Sequence, residues 1–218
     1  MGENKINKWL IPLCCIMIIS CNKKEKNFIN KDIAFNELLN LNNYKYHKTK
    51  INDSITKVFG ESESKNLIII GIIKNNNKFG WWEIKEKNNL SKIRLELMNI
   101  ENKDYINQYI YLDEEKDTLK NQSLFYSTKQ DATSNIIIYH VNFPSSLDEV
   151  ILSKFFYMIN DQEPQNIEME KKEVFDFKLE VPNTIQKKVV KGMFTITTNR
   201  EKVLGVKNLY TIDTLYSN

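Results

Sequence analysis

Apolar and polar positions alternate along most of this chain, in short runs set apart by polar, Asn-rich stretches. The densest run is Leu67-Ile-Ile-Ile-Gly-Ile-Ile73, whose β-branched content predicts a buried strand. Lys74–Lys78 reads as a turn, and Phe79–Lys85 as the returning strand. Further strands are predicted at Ser91–Met98, Tyr105–Leu112, Gln122–Ser127 and Ser134–Asn142, separated by polar stretches at 99–104, 113–117 and 129–133. Alternation resumes over Glu173–Val181, Lys187–Thr198 and Val206–Leu215, with Asn199–Gly205 as a loop. Residues 42–66 are weakly patterned, with one strand expected over Ile51–Phe59. Short strands at regular spacing predict a mainly β fold: an antiparallel meander forming a sandwich, a barrel or a single curved sheet.

Two segments carry helical spacing. In 32–41, Asp32 can cap a short helix that places Ile33, Leu38 and Leu41 roughly on one face, with Phe35 near its edge. In 146–158, Ser146-Leu-Asp-Glu149 fits a capping box, and Leu147, Val150, Ile151, Lys154, Phe155 and Met158 follow at helical intervals. Helix is favoured there, although a run so rich in Val, Ile, Phe and Tyr also suits a strand. Asp161–Pro164 reads as a loop.

The start of the chain has a pattern of its own. Lys5 and Lys8 precede an apolar run from Trp9 to Ile19, broken only by Pro12, and small Ser20 precedes Cys21. A charged start, a short apolar core and a small residue at the cut form a secretory signal pattern. The run falls well short of the roughly 20 apolar residues that a membrane span requires. Ile18-Ile19-Ser20-Cys21 resembles the lipobox of bacterial lipoproteins, with Ile18 where that family prefers Leu. The resemblance implies cleavage between Ser20 and Cys21, lipid on the Cys21 thiol and acylation of the new amino group. Acyl chains bury about 0.8 kcal/mol per methylene, so several chains on one cysteine hold firmly. Residues 22–31 read as a polar tether, in which Lys23, Lys24 and Lys26 suit either anionic headgroups or plain solvation.

On this reading residues 1–20 are a signal peptide, 21–31 a tether and 32–218 a single β-rich domain, with 32–143 and 165–218 as an alternative division into two sub-sheets. The chain length suffices for a real core. The net charge of +3 gives no argument for nucleic acid. Cys14 and Cys15 leave with the signal and Cys21 takes lipid, which removes disulfides, thiolate zinc sites and a cysteine nucleophile.

The most distinctive internal stretch is Asn75-Asn-Asn-Lys-Phe-Gly-Trp-Trp-Glu-Ile84. It resembles one unit of the MORN-like β-hairpin repeats, in which a polar turn leads to Gly, an aromatic and an extended strand. Tyr105–Asp113 with Ser123–Tyr126 is a second, degenerate candidate, lacking the regular glycines. Strand alternation puts Trp82 and Ile84 on one face and Trp81 and Glu83 on the other. Either both tryptophans pack in a two-sided sheet, or one is core and the other is a candidate contact with a ligand or partner. Tyr105, Tyr109 and Tyr111 are predicted on one strand face, as a stacking platform for sugar or peptide or as ordinary sheet residues.

The two histidines, His47 and His140, lack a second ligand at metal spacing. His140 reads as a satisfied sheet residue and His47 as a loop residue. A Ser/His/acid hydrolase would need one of them as its base, and the usual catalytic signatures are absent from the sequence. Asp113-Glu-Glu-Lys-Asp117 reads as a solvated turn rather than a calcium loop. No catalytic residue, metal site or cofactor is therefore expected.

The leading expectation is a non-catalytic lipoprotein of a bacterial cell envelope, held to the membrane by lipid and binding a protein or envelope glycan. The basic residues after Cys21 favour the outer membrane facing the periplasm over the cell surface. The alternatives are an immunity or inhibitor lipoprotein, and a glycan hydrolase using paired carboxylates.

Overall fold

The computed structural model describes residues 35–218, apart from residue 65 and short stretches at 88–91, 101–102, 132–135, 145–148, 171–173, 182–186, 201–202 and 217–218. Asp32, Ser146, Ser20 and Cys21, with the signal and tether, lie outside the described residues. The fold is mainly β, with three antiparallel sheets. Its helical content among the described residues is α1 (Phe35–Leu38) and two single 3-10 turns, at Leu41–Asn43 and Lys120–Gln122. Ala34–Asn218 forms one compact unit.

The first sheet is a six-stranded meander in sequence order: β1 (Lys45–Lys50), β2 (Ile55–Ser62), β3 (Leu67–Lys74), β4 (Asn77–Glu86), β5 (Lys92–Ile100) and β6 (Lys103–Leu112). Each strand turns back on its predecessor, so every pairing closes a short loop. Its inner face follows the period of two: Val58, Leu67, Ile69, Trp82, Ile84, Ile93, Leu95 and Leu97 are all buried. Fully burying each such aliphatic contributes about 1.5–3 kcal/mol. The Phe35 ring of α1 meets Tyr109 and Tyr111 on this face, at 5.1 and 6.4 Å.

The remaining strands form a sandwich. One sheet has the order β11-β8-β7, from β7 (Phe125–Asp131), β8 (Ile136–Asn142) and β11 (Val174–Glu180). The other has the order β10-β9-β12-β13, from β9 (Glu149–Ile159), β10 (Gln165–Glu170), β12 (Lys187–Arg200) and β13 (Val203–Tyr216). Their inner faces meet in a core of Tyr139, Phe155, Phe175, Phe177, Phe194 and aliphatic neighbours. Phe155 and Phe194 stack at 4.2 Å, with Tyr139 5.0 Å from Phe155.

Several expectations are corrected here. The helix expected at 146–158 is not formed among the described residues: Glu149–Ile159 is a strand, paired with β10 on one side and β12 on the other. Its Ser153 and Phe155 are buried two residues apart, so β-branched and aromatic content in a central strand outweighed the helical spacing. The helix at 32–41 reduces, among described residues, to one turn and a 3-10 turn. β1 was unforeseen, since all six of its residues are exposed and it offers no apolar alternation. His47 therefore lies in a strand, 5.2 Å from Phe59, and not in a loop. β10 was not expected either, although its Ile167 and Met169 alternate with polar residues. The loop expected at 199–205 is mostly strand, because β12 continues to Arg200 and β13 begins at Val203.

Meander and sandwich meet at the β6 edge. Tyr109 exchanges backbone hydrogen bonds with Leu124, at 2.8 and 2.9 Å. A register shift opposite Glu96 and Leu97 leaves Asn107 as an extra residue in β6. Asn107 Nδ2 donates to the Tyr210 carbonyl at 2.8 Å, and Asn107 Oδ1 accepts from the Tyr210 N–H at 2.6 Å. The side-chain amide thus pairs with β13 as a strand backbone would. Gln108 Oε1 accepts from the Tyr126 N–H, while Glu96 accepts from both side-chain amides at 2.7 Å.

Candidate functional site

The five sequence-derived contact candidates all lie in the meander, on β4 and β6, and the β3–β4 hairpin sets the faces of the two tryptophans. Asn75 and Asn76 both have positive φ, 49° and 67°, as a two-residue turn between right-twisted strands requires. The register then slips between Ile70 and Ile72, so that Gly80, Trp81 and Trp82 together face Gly71. Gly80 takes φ +67° with open space around its Cα, so its conformation calls for glycine there. Gly71 is required for space: a Cβ there would stand 2.1–2.4 Å from Trp82 ring atoms. Trp82 is thereby core, fully buried over Gly71, with its Nε1 lacking a hydrogen-bond partner.

Trp81 emerges on the opposite face, half-buried. The Arg94 guanidinium lies 4.7 Å from its ring centroid. Arg94 stands directly across from Glu83, yet Glu83 accepts from Lys92 Nζ at 3.0 Å. The guanidinium is therefore left on the indole, and no carboxylate among the described residues forms an ion pair with it. Nearby, Lys74 Nζ lies 4.8 Å from the ring of Phe79, which is 43% exposed. Ile68, Ile70 and Ile72 of β3 with Phe59 of β2 continue the surface as a half-buried apolar stripe. The isoleucine run is thus the buried strand expected on one face and half-covered on the other.

The tyrosines do not form one platform. Tyr109 and Tyr111 share the inner face with Leu95 and Ile93, their direct register partners. The extra residue at 107 flips the strand, so Tyr105 pairs with Met98 on the other face. Its hydroxyl donates to the Asn208 carbonyl at 2.7 Å, and its ring meets Tyr210 edge-on. Burial, with the neighbouring Tyr111 a lesser cause, pushes the Tyr109 hydroxyl far up from its ordinary value. Burial and then Asp213 do the same for Tyr139. These groups stay neutral and serve as packing.

His140 lies in β8 and is paired, in keeping with a satisfied sheet residue. Its Nδ1 lies 2.6 Å from Asp176 Oδ1, and Ser127 is its register partner on the other side. The three stand in one row across β7, β8 and β11. The His140 and Asp176 side chains are 40% and 52% exposed, so the row sits in water rather than in the closed setting where an acyl-transfer triad works. Asp113 serves its turn, with Oδ1 accepting from the Glu115 and Asp117 N–H groups.

Arg94 escaped the sequence reading. The available signal was its rarity: it is one of two arginines among 31 basic residues, and a planar guanidinium stacks on an aromatic face better than an ammonium does. Comparison with known proteins gives no match: no family model fits the chain, and neither a curated protein nor a solved structure resembles it significantly.

Proposed function

We propose that this chain is a lipid-anchored lipoprotein of a bacterial cell envelope that binds a protein or glycan partner through the outer face of its meander. Residues 18–21 support the anchor, and the basic residues after Cys21 support an outer-membrane, periplasm-facing position. No helix among the described residues is long and apolar enough to cross a membrane. The observation that carries the binding reading is the Trp81–Arg94 pair beside the half-buried isoleucine stripe. A flat indole with an uncommitted guanidinium on it suits a partner that presents an acidic group next to a planar or apolar surface, such as an acidic side chain by an aliphatic one or a uronic or N-acyl sugar. The action is recognition rather than catalysis.

The test is mild detergent extraction after light cross-linking, comparing the natural chain with Trp81→Ala and Arg94→Ala. A defined protein or glycan that is retained by the first and lost from both variants bears the proposal out. Equal recovery from all three moves the binding surface elsewhere. Globomycin, which blocks the lipoprotein signal peptidase, tests the anchor separately: the unprocessed chain should accumulate.

A further inference from the structure

Charge on the meander's outer face separates the two kinds of partner that the Trp81–Arg94 pair suits. Register partners share a face, so the surface can be followed strand by strand. Ile68, Ile70 and Ile72 form a column on β3. Phe59 of β2 stands beside Ile70, and Phe79 of β4 beside Ile72. Lys57 of β2 flanks the column at Ile72, Lys85 of β4 flanks it at Ile68, and Lys74 continues it on β3. Arg94 of β5 lies in the row of Ile70 and Glu83. These positions alternate with the buried Val58, Ile69, Ile84 and Ile93, so they stand on the one outer side. The acids of β2 to β5 on that side are all engaged. Glu61 pairs with Lys87 at 2.7 Å, Glu83 with Lys92 at 3.0 Å, and Glu96 accepts from the Asn107 and Gln108 amides at 2.7 Å. No carboxylate among the described residues forms an ion pair with Lys57, Lys74, Lys85 or Arg94.

An apolar centre within a polar rim is the layout of a protein interface, and here the uncompensated rim is cationic. A glycan laid on the same column would bury hydroxyls, each costly without a hydrogen bond, and Ile68, Ile70 and Ile72 offer none. Spacing adds the shape of the partner. Alternate residues of a strand stand about 6.8 Å apart, and one face of a helix recurs about every 5.4 Å. A helix lying along β3 can therefore set an apolar side chain against each isoleucine, while acidic residues on its flanks reach the lysines on either side. We propose that the outer face of the meander receives an acidic amphipathic helix of a partner protein, its apolar side on Ile68, Ile70 and Ile72 and its flanking carboxylates on Lys57, Lys85 and Arg94. This rests on the outer-face reading of the function and names the partner class that reading leaves open. Arg94 suits the part because its guanidinium can hold a carboxylate through two donors while its plane stays on Trp81.

The experiment uses the full chain in the cells that make it, with the photo-reactive residue p-benzoylphenylalanine in place of Phe79, which is 43% exposed beside Ile72. Irradiation should join the chain to one protein, and sequencing of the joined segment should show apolar residues at helical spacing flanked by Asp or Glu. A synthetic peptide of that sequence should bind the purified chain, and a twin with each acid replaced by its amide should not. Lys57→Glu together with Lys85→Glu should abolish the binding, whereas Lys129→Glu, on exposed β7, should leave it unchanged. The amide twin keeps the test independent of how the double variant folds. A joined segment without acids, a twin that binds equally well, or joining only to glycan or lipid overturns the proposal while leaving the outer face as a binding surface. No photoproduct at 79 overturns it too. If Trp81→Ala and Arg94→Ala then also leave partner recovery unchanged, the outer-face reading falls with it.

Discussion

The meander and the sandwich are both antiparallel β, yet they use apolar residues differently. The sandwich buries its large aromatics between two sheets, with Phe155, Phe175, Phe177, Phe194 and Tyr139 all at 1% exposure or less. The meander buries one face tightly and leaves Trp81, Phe79 and three isoleucines partly open on the other. Its pairings are all between neighbours in sequence, whereas β8 joins β11 and β9 joins β12 across long connections. A sheet that already holds its inner face can tolerate an apolar outer face kept for contact. The sandwich also leaves apolar side chains exposed, Leu204, Val206 and Ile212 among them, but its large aromatics are locked between two sheets, and this separates the region where substitutions unfold the chain from the region where they silence it.

The sharpest way to break this comparison is to empty the sandwich core. Phe194 touches Tyr126, Tyr139, Phe155 and Phe177. Phe194→Ala should cost about 3–5 kcal/mol, read as the midpoint of urea unfolding. The tryptophans of the described fold both sit in the meander, so their fluorescence reports whether that sheet survives. Retention of the native Trp82 signal past the loss of sandwich aromatic dichroism would mean that the two regions unfold separately. A single coincident transition would mean that the Asn107 and Gln108 contacts couple them.

Sequence alternation revealed the meander well and the sandwich poorly, for physical reasons. Hairpins are local, and the Asn75-Asn76 turn and the Trp81/Trp82 division of faces are written in adjacent residues. The pairing of β8 with β11 or of β9 with β12 depends on residues tens of positions apart, which no local pattern encodes. Register breaks were equally hidden: one extra residue at Asn107 sent Tyr105 to the face opposite Tyr109 and Tyr111. Two consecutive amides in mid-strand were the one local sign, since both are buried and hydrogen-bonded to the neighbouring strands. For the candidate site, alternation put Trp81 and Trp82 on opposite faces but did not say which of them was the outer one. Arg94 was not legible, because its partner lies on another strand.

Within the meander, Gly71→Ala should rank next. The added methyl meets the middle of the Trp82 indole and not a flexible tip, so about 1–3 kcal/mol of overpacking is expected. Gly80→Ala is the control, with open space but a positive φ, costing about 1–2 kcal/mol. Trp82 emission should change with the first and stay with the second. If both leave it unchanged, the close approach at Gly71 does not fix the inner tryptophan.

Alkaline titration distinguishes the regions more gently. Burial pushes Tyr44, beneath the meander, and Tyr126, in the sandwich, up to about 12. Because the folded pKa lies above the unfolded value of about 10, the folded state holds its proton longer. Stability is therefore unaffected below pH about 10 and falls as pH rises from there towards 12. Each tyrosine should remove about 1 kcal/mol by pH about 11, after allowance for solvent screening. Tyr44→Phe and Tyr126→Phe should each flatten the alkaline decline. An unchanged slope in either would show that its hydroxyl is already solvated in the fold.

The smallest stability effect belongs to the residues with the largest expected functional one. Trp81 and Arg94 form a half-exposed cation–π pair, worth about 0.5–1 kcal/mol. A double-mutant cycle with Trp81→Ala and Arg94→Ala should give a coupling of that size, with neither single variant unfolding early in urea. Partner recovery should nevertheless collapse in both. Arg94→Lys sharpens the test: an ammonium keeps the charge and much of the attraction to the ring, but loses the planar fork that can grip a carboxylate from two donors. Stability should stay level in that variant while recovery falls. Should Trp81→Ala instead cost several kcal/mol, as truncation of a buried aromatic does, the outer indole would be core like its neighbour, and the contrast between the two faces of the meander would fail with it.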